Sequence, residues 1–151
     1  MTEPADFEAI TRRRYEYALG IDSRDWDLHR SIYTDEITMD FSSYSGSGGP
    51  QTLPADDWVA GLKPLFEGLD ATQHTMTNPM VDVEGDTARC RMYMQATHLL
   101  LDDPEPEFTI GGYYDDELRR IDGEWKITAV TLTVWWRTGN PQIMVRARES
   151  G

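Results

Sequence analysis

Apolar and aromatic side chains in the first third of the chain recur every three to four residues. Phe7, Ile10, Tyr17 and Ile21 fall on one stripe with Arg14 as its polar interloper, the spacing of an amphipathic helix that ends near Gly20. Asp22 opens a short polar stretch, after which Trp26, Leu28, Ile32 and Tyr33 predict a second, short helix closing at Thr34 and Asp35. The two helices form a hairpin-like pair. Ile37, Met39 and Phe41 then alternate with Thr38 and Asp40 as in a strand, and the Ser- and Gly-rich residues 42–50 predict a loop. Trp58, Leu62 and Leu65 place a third helix over residues 56–69, kinked or cut short by Pro64.

The second half changes period. Residues 80–83, 87–101, 108–121 and 124–137 are β-rich runs separated by turn signals such as Glu84-Gly85-Asp86 and Asp122-Gly123, the latter the strongest hairpin signal in the chain. Helices first and antiparallel strands after them predict an α+β fold, with helices packed on one face of a curved sheet. No repeat or linker interrupts this plan, and 151 residues suit one domain over 1–151.

Composition narrows the partners. With 39% hydrophobic residues, five tryptophans and seven tyrosines the chain can bury a core. A formal charge of -13 and a pI near 4.5 repel phosphate backbones and anionic lipid, so neither nucleic acid nor a membrane is expected as a partner. Cys90 is the single cysteine, which excludes an internal disulfide, and no Cys/His spacing fits a metal site, so no metal and no cofactor are expected. The first ten residues lack a charged-then-apolar leader pattern and no apolar run approaches a membrane span, so the expected location is cytoplasmic.

Three histidines separate on this plan. His29, beside Arg30 on the second helix, reads as solvated surface. His74 falls in the connection between the third helix and the first long strand, where it either caps a helix end or serves the function such connections often carry. His98 shares a strand face with Ala88, Cys90, Met92, Met94 and Ala96, so it points into something buried and needs a neighbour or a ligand as partner. Asp22 either caps the second helix or turns its carboxylate inward. Arg137, at the end of the last strand, alternates with Thr131, Thr133 and Trp135 and reads as a stacked or an anion-binding arginine. Which face of that strand looks inward is left open by alternation alone.

The segments Tyr17-Ala-Leu-Gly-Ile-Asp22 with Arg24-Asp25-Trp26, Asp40-Phe-Ser-Ser-Tyr44, His74-Thr-Met-Thr-Asn78, Gly85-Asp86, Gly111-Gly-Tyr-Tyr-Asp115 and Asp122-Gly-Glu-Trp-Lys126 together resemble the NTF2-like superfamily. Their combination is similar to its SnoaL-like branch, which includes scytalone dehydratase, hexachlorocyclohexane dehydrochlorinase and the bile-acid 7α-dehydratase. The resemblance spans essentially the whole chain. It implies a cone-shaped α+β barrel, with N-terminal helices in the concavity of a strongly curved antiparallel sheet and one deep pocket at the wide end. It also implies that Asp22 and His74 form a dyad, and that Tyr17, His98 and Arg137 complete the catalytic set. Ile21 stands where scytalone dehydratase has a tyrosine, so that enzyme's substrate does not transfer.

On this footing the expected activity is that of a cofactor-independent lyase, a dehydratase acting on a hydrophobic ring compound of steroid or polyketide type. His74 would be the base, Asp22 its orienting partner, Tyr17 and Arg137 the groups stabilising an enolate oxygen, and His98 the acid, with Tyr44 a second candidate acid. A histidine's ordinary pKa of about 6.5 suits that task at neutral pH. Tyr44, Met92, Met94 and Trp135 are the expected substrate-binding residues, methionine and aromatic side chains being adaptable linings for a flat ligand. The alternatives are a ketosteroid-type isomerase and a non-catalytic binding module related to aromatic-dioxygenase β subunits, because this fold hosts all three. A homo-oligomer, dimer or trimer, is expected through the exposed sheet face, with Val130, Leu132, Val134 and Trp136 as a candidate patch.

Overall fold

Proline is tolerated at the start of a helix because its missing N–H has no helical partner there. Pro4 opens helix α1 (Pro4–Asp22), and of the predicted stripe Ile10, Tyr17 and Ile21 are buried, with Arg14 among them, while Phe7 in the first turn is exposed. The computed structural model describes residues 2–151. Asp25 accepts the Leu28 N–H at 3.0 Å and so caps α2 (Trp26–Ser31). Gly20 lets the two helices touch, since a Cβ there would lie 2.9 Å from the His29 Cβ. His29 is accordingly fully buried, against the expectation of a surface position, packed on Tyr17, Trp26 and Tyr33 with the Tyr33 hydroxyl 3.4 Å from its Nε2. Its charged neighbours hide the fact that it sits on the α1-facing side of a very short helix.

The chain continues through β1 (Tyr33–Asp40), α3 (Ser42–Ser45), β2 (Gln51–Pro54), α4 (Ala55–Gly68), β3 (Ala71–Glu84), β4 (Thr87–Leu99), β5 (Glu107–Ile121), β6 (Glu124–Gly139) and α5 (Gln142–Ser150). The six strands form one curved, unclosed sheet in the order β2-β1-β6-β5-β4-β3, antiparallel except where β1 runs parallel to β6. Several elements differ from the sequence expectation, among them α5, which it lacks, and β1, which begins at Tyr33 where the second helix was expected to continue. The region read as a loop opens with a helical turn and returns as β2, pairing Leu53 with Ile37. The strand β3 starts at Ala71 rather than near Met80, because a polar run and a bulge between Thr77 and Met80, with Asn78 at φ 56°, mask its period. His74 therefore stands on a strand opposite Ala96.

A second bulge shifts the register near the end of β6. Gly111 pairs with Trp136 and Gly112 with Val134, so Trp135 has no opposite residue. A Cβ on Gly112 would lie 1.9 Å from the Thr133 carbonyl oxygen, and only glycine fits this close approach. Val130 and Leu132 look into the core, so alternation puts Trp135 outside the sheet, where it packs edge-on to Tyr93 and tilted against Tyr113, at 5.2 and 4.9 Å between ring centroids.

Arg14 reaches from α1 to Asp116 on β5 with bonds of 2.7 and 2.5 Å, both side chains buried. Its guanidinium lies over the rings of Tyr17 and Tyr114, 4.5 and 3.8 Å from their centroids. Burial alone works against the charge, but Asp116 more than reverses it and pushes the Arg14 pKa further up. The pair ties the α1 stripe to the middle of the sheet.

Arg14→Met strands a buried carboxylate and should cost ~3–5 kcal/mol in urea unfolding, most of it recovered in Arg14→Met/Asp116→Leu; a loss below ~1 kcal/mol would contradict the pairing. Burial pushes the His29 and His98 imidazoles down to about 3 and about 4 in the folded chain, whereas unfolded histidine titrates near 6.5. Their neutral state favours folding fully above about pH 6.5 and less with each step down, since the unfolded chain then binds more protons. The urea midpoint should fall between pH 6.5 and 4, less steeply in His29→Leu; an equally steep fall in that variant rules out His29 as a source.

Candidate active site

The α1–α4 layer and the inner face of the sheet enclose a cavity of about 370 Å³, lined mainly by carbon. Phe41, Trp58, Leu62 and Phe66 supply one wall, and Met94, Ala96, Ile110 and Leu132 the other. This is a site for a compact, largely apolar molecule. Four polar side chains, Tyr17, His74, His98 and Tyr114, are buried against it, while Tyr44 and the exposed Asp57 and Arg148 lie towards solvent.

Asp22, the last residue of α1, closes on β3. Its Oδ1 accepts from His74 Nδ1 and from the Thr72 hydroxyl at 2.8 and 2.9 Å, and its Oδ2 accepts the His74 backbone N–H at 2.8 Å. Burial pulls the carboxyl pKa up, yet these three hydrogen bonds prevail and hold it below the usual value. An ionised Asp22 fixes the His74 proton on Nδ1 and leaves the Nε2 lone pair as the free end of a ring that lines the cavity. Arg24 anchors the same corner, donating to the Ile21 carbonyl and the Thr72 hydroxyl at 2.6 and 2.9 Å.

Tyr17 stands edge-on to His74 with 5.7 Å between centroids, and its hydroxyl lies 2.8 Å from that of Tyr114. Burial raises both phenol pKa values, so both keep their protons across the neutral range. One of the two hydrogens joins the pair and the other remains free for a third oxygen. Tyr114 is not among the expected site residues, although alternation from Ile110 through Gly112 puts it on the inner face opposite Met92 and Leu132. His98 lies 6.0 Å from His74, ring to ring, and its Nδ1 donates to the Phe108 carbonyl at 3.0 Å.

Three expected site residues lie elsewhere. Arg137 is exposed, because it stands opposite Ile110 at the sheet's end, where it donates to the Ser43 and Tyr44 carbonyls and stacks 4.9 Å over the Tyr44 ring. It braces α3 from behind Tyr44 and is not part of the cavity wall. Trp135 is 57% exposed on the outer face for the reason given above. Met92 is fully buried on the inner face but below the cavity floor, beside Tyr114 in the ladder. Tyr17, Tyr44, His74, Met94 and His98 do line the cavity, with Asp22 directly behind His74. Among the described residues no three His, Cys, Asp or Glu side chains gather as a metal-ligand set, and no helix is long and apolar enough to cross a membrane.

Comparison with known proteins identifies the family and the fold. Scytalone dehydratase arp1 of Aspergillus fumigatus is 26% identical over 141 residues, covering 87% of this chain and 83% of that protein. The Kfla4162 protein of Kribbella flavida superposes with a TM-score of 0.87 at 29% identity, over 93% of this chain and 97% of that one. The hexachlorocyclohexane dehydrochlorinase LinA-type3 of Novosphingobium barchaimii shares the fold at 20% identity with a TM-score of 0.73, over 91% of each chain. Residues 2–131 match the SnoaL-like domain, and the chain belongs to that family within the NTF2-like superfamily.

Proposed function

We propose that this chain is a cofactor-independent dehydratase that eliminates water from a compact cyclic β-hydroxy ketone. One observation carries the reading: His74 turns an unpartnered Nε2 into an apolar cavity while Asp22 holds its Nδ1 proton at 2.8 Å. The family, and the dehydratase and dehydrochlorinase names of its relatives, support elimination chemistry in general.

His74 Nε2 takes the proton from the carbon next to the ketone, and the C–H electron pair moves onto the ketone oxygen. The free hydroxyl of the Tyr17–Tyr114 pair donates to that oxygen as its charge grows, in the role expected of Arg137. Asp22 stabilises the imidazolium without taking its proton. The enolate then reforms its carbonyl, a carbon–carbon double bond forms, and the C–O bond to the leaving hydroxyl breaks. The proton on His74 passes to the departing oxygen, so base and acid are one residue and the elimination is syn. His98 does not suit the acid role, since its proton is engaged with the Phe108 carbonyl and its pKa is pushed down to about 4 by burial. Low polarity in the cavity strengthens each of these interactions.

Incubation of cyclic β-hydroxy ketones in D₂O tests the reading by NMR and mass spectrometry. The wild type should exchange the α-proton and release a product lighter by one water. Asp22→Asn and His74→Ala should slow both by about 10²–10⁴, and Tyr114→Phe by about 10². Exchange with a double bond moved and no mass lost would identify an isomerase instead, and undiminished turnover in Asp22→Asn and His74→Ala would sink the dyad.

A further inference from the structure

Elimination leaves His98 without a task, yet it is only 3% exposed and lines the cavity. Its Nδ1 proton is committed to the Phe108 carbonyl at 3.0 Å, so the lone pair is on Nε2. Phe66 and Phe108 flank the ring, with centroids 6.2 and 6.0 Å away, and neither can donate to it. His74 cannot donate either, because its own Nε2 is a lone pair while Asp22 holds the other nitrogen. Among the described residues no side chain hydrogen-bonds to His98 Nε2. A ligand that fills the cavity strips water from this acceptor, and the loss is offset only if the ligand brings a donor of its own.

That donor is not the leaving hydroxyl. Accepting a hydrogen bond from the leaving group would add negative charge to its oxygen and oppose its departure as water. The productive partner is a second group.

Building on the ketone orientation proposed above, we infer that His98 Nε2 determines specificity, selecting ring ketones that carry a further hydroxyl or N–H and rejecting their deoxy and O-methylated analogues. Burial pushes the imidazole down to about 4, which keeps this acceptor neutral over the physiological range. The discrimination is strong in principle, because a site built to pair a polar group leaves that group unsatisfied when the ligand lacks its counterpart.

Binding of simple indanones tests this without requiring turnover, since they carry no leaving hydroxyl. Titration calorimetry would compare 5- and 6-hydroxy-1-indanone with their methyl ethers and with 1-indanone, on the wild type, His98→Phe and His98→Gln. The wild type should bind at least one hydroxy isomer about ten- to a hundredfold more tightly than its ether and the parent ketone. His98→Phe should narrow that ratio to about twofold, and His98→Gln, whose amide oxygen still accepts, should keep part of it. Equal affinity for hydroxyl and ether in the wild type, no binding by any indanone, or a preference undiminished in His98→Phe would each overturn the inference. A chain with this preference but no elimination activity keeps the acceptor and loses the lyase reading.

Discussion

One carboxylate closes the architecture and sets its chemistry. Asp22 takes three hydrogen bonds from β3, two from His74 and one from Thr72, across about fifty residues of chain. These bonds dock the end of α1 against an otherwise one-sided strand. They also decide which nitrogen of His74 carries a proton. A helix end that merely capped its neighbour would do neither, and the α2 cap falls instead to Asp25. On the proposed function stability and reactivity share a residue, since the contacts that orient His74 are the same ones that dock α1 on β3.

Around that contact the interior is apolar by area but ordered by a few polar pairs. Arg14 with Asp116, Tyr17 with Tyr114 and His98 with the Phe108 carbonyl each satisfy one end of a buried group. The first pair faces away from the cavity and stacks under both tyrosines. In the second and third, one hydrogen or lone pair is left for the cavity. The floor therefore presents two acceptors, on His74 and His98, and one donor, on the tyrosine pair. On the proposed function, a ligand that matches these groups brings a carbonyl, an acidic C–H and a second donor.

Periodicity made much of this legible in the sequence. The α1 stripe, the inward face of His98, the β4–β5–β6 meander and the bend at Asp122-Gly123 all follow from spacing. What spacing could not carry was anything that interrupts a period. Alternation from the inward Leu132 leaves Trp135 on the outer face, and Arg137, which the Gly111–Gly112 bulge sets opposite Ile110, stands at the exposed end of the sheet, so neither expected site residue reaches the cavity. Polar side chains and Asn78-Pro79 hid the first half of β3 and made His74 look like a loop residue. Arg14 seemed an interloper on its stripe because its partner lies 102 residues away. The resemblance to the SnoaL-like family supplied the Asp22–His74 pairing, which spacing alone left undecided.

The central claim is that the cavity binds an enolate with its carbon at His74 and its oxygen at the tyrosine pair. A crystal structure with the planar enolate of 1,3-indanedione tests it most directly. One enolate oxygen should lie within hydrogen-bond distance of a Tyr17 or Tyr114 hydroxyl, with the central carbon next to His74 Nε2. A ligand seated at Arg148 with its oxygens facing solvent, or turned with its aromatic edge toward His74, would contradict it.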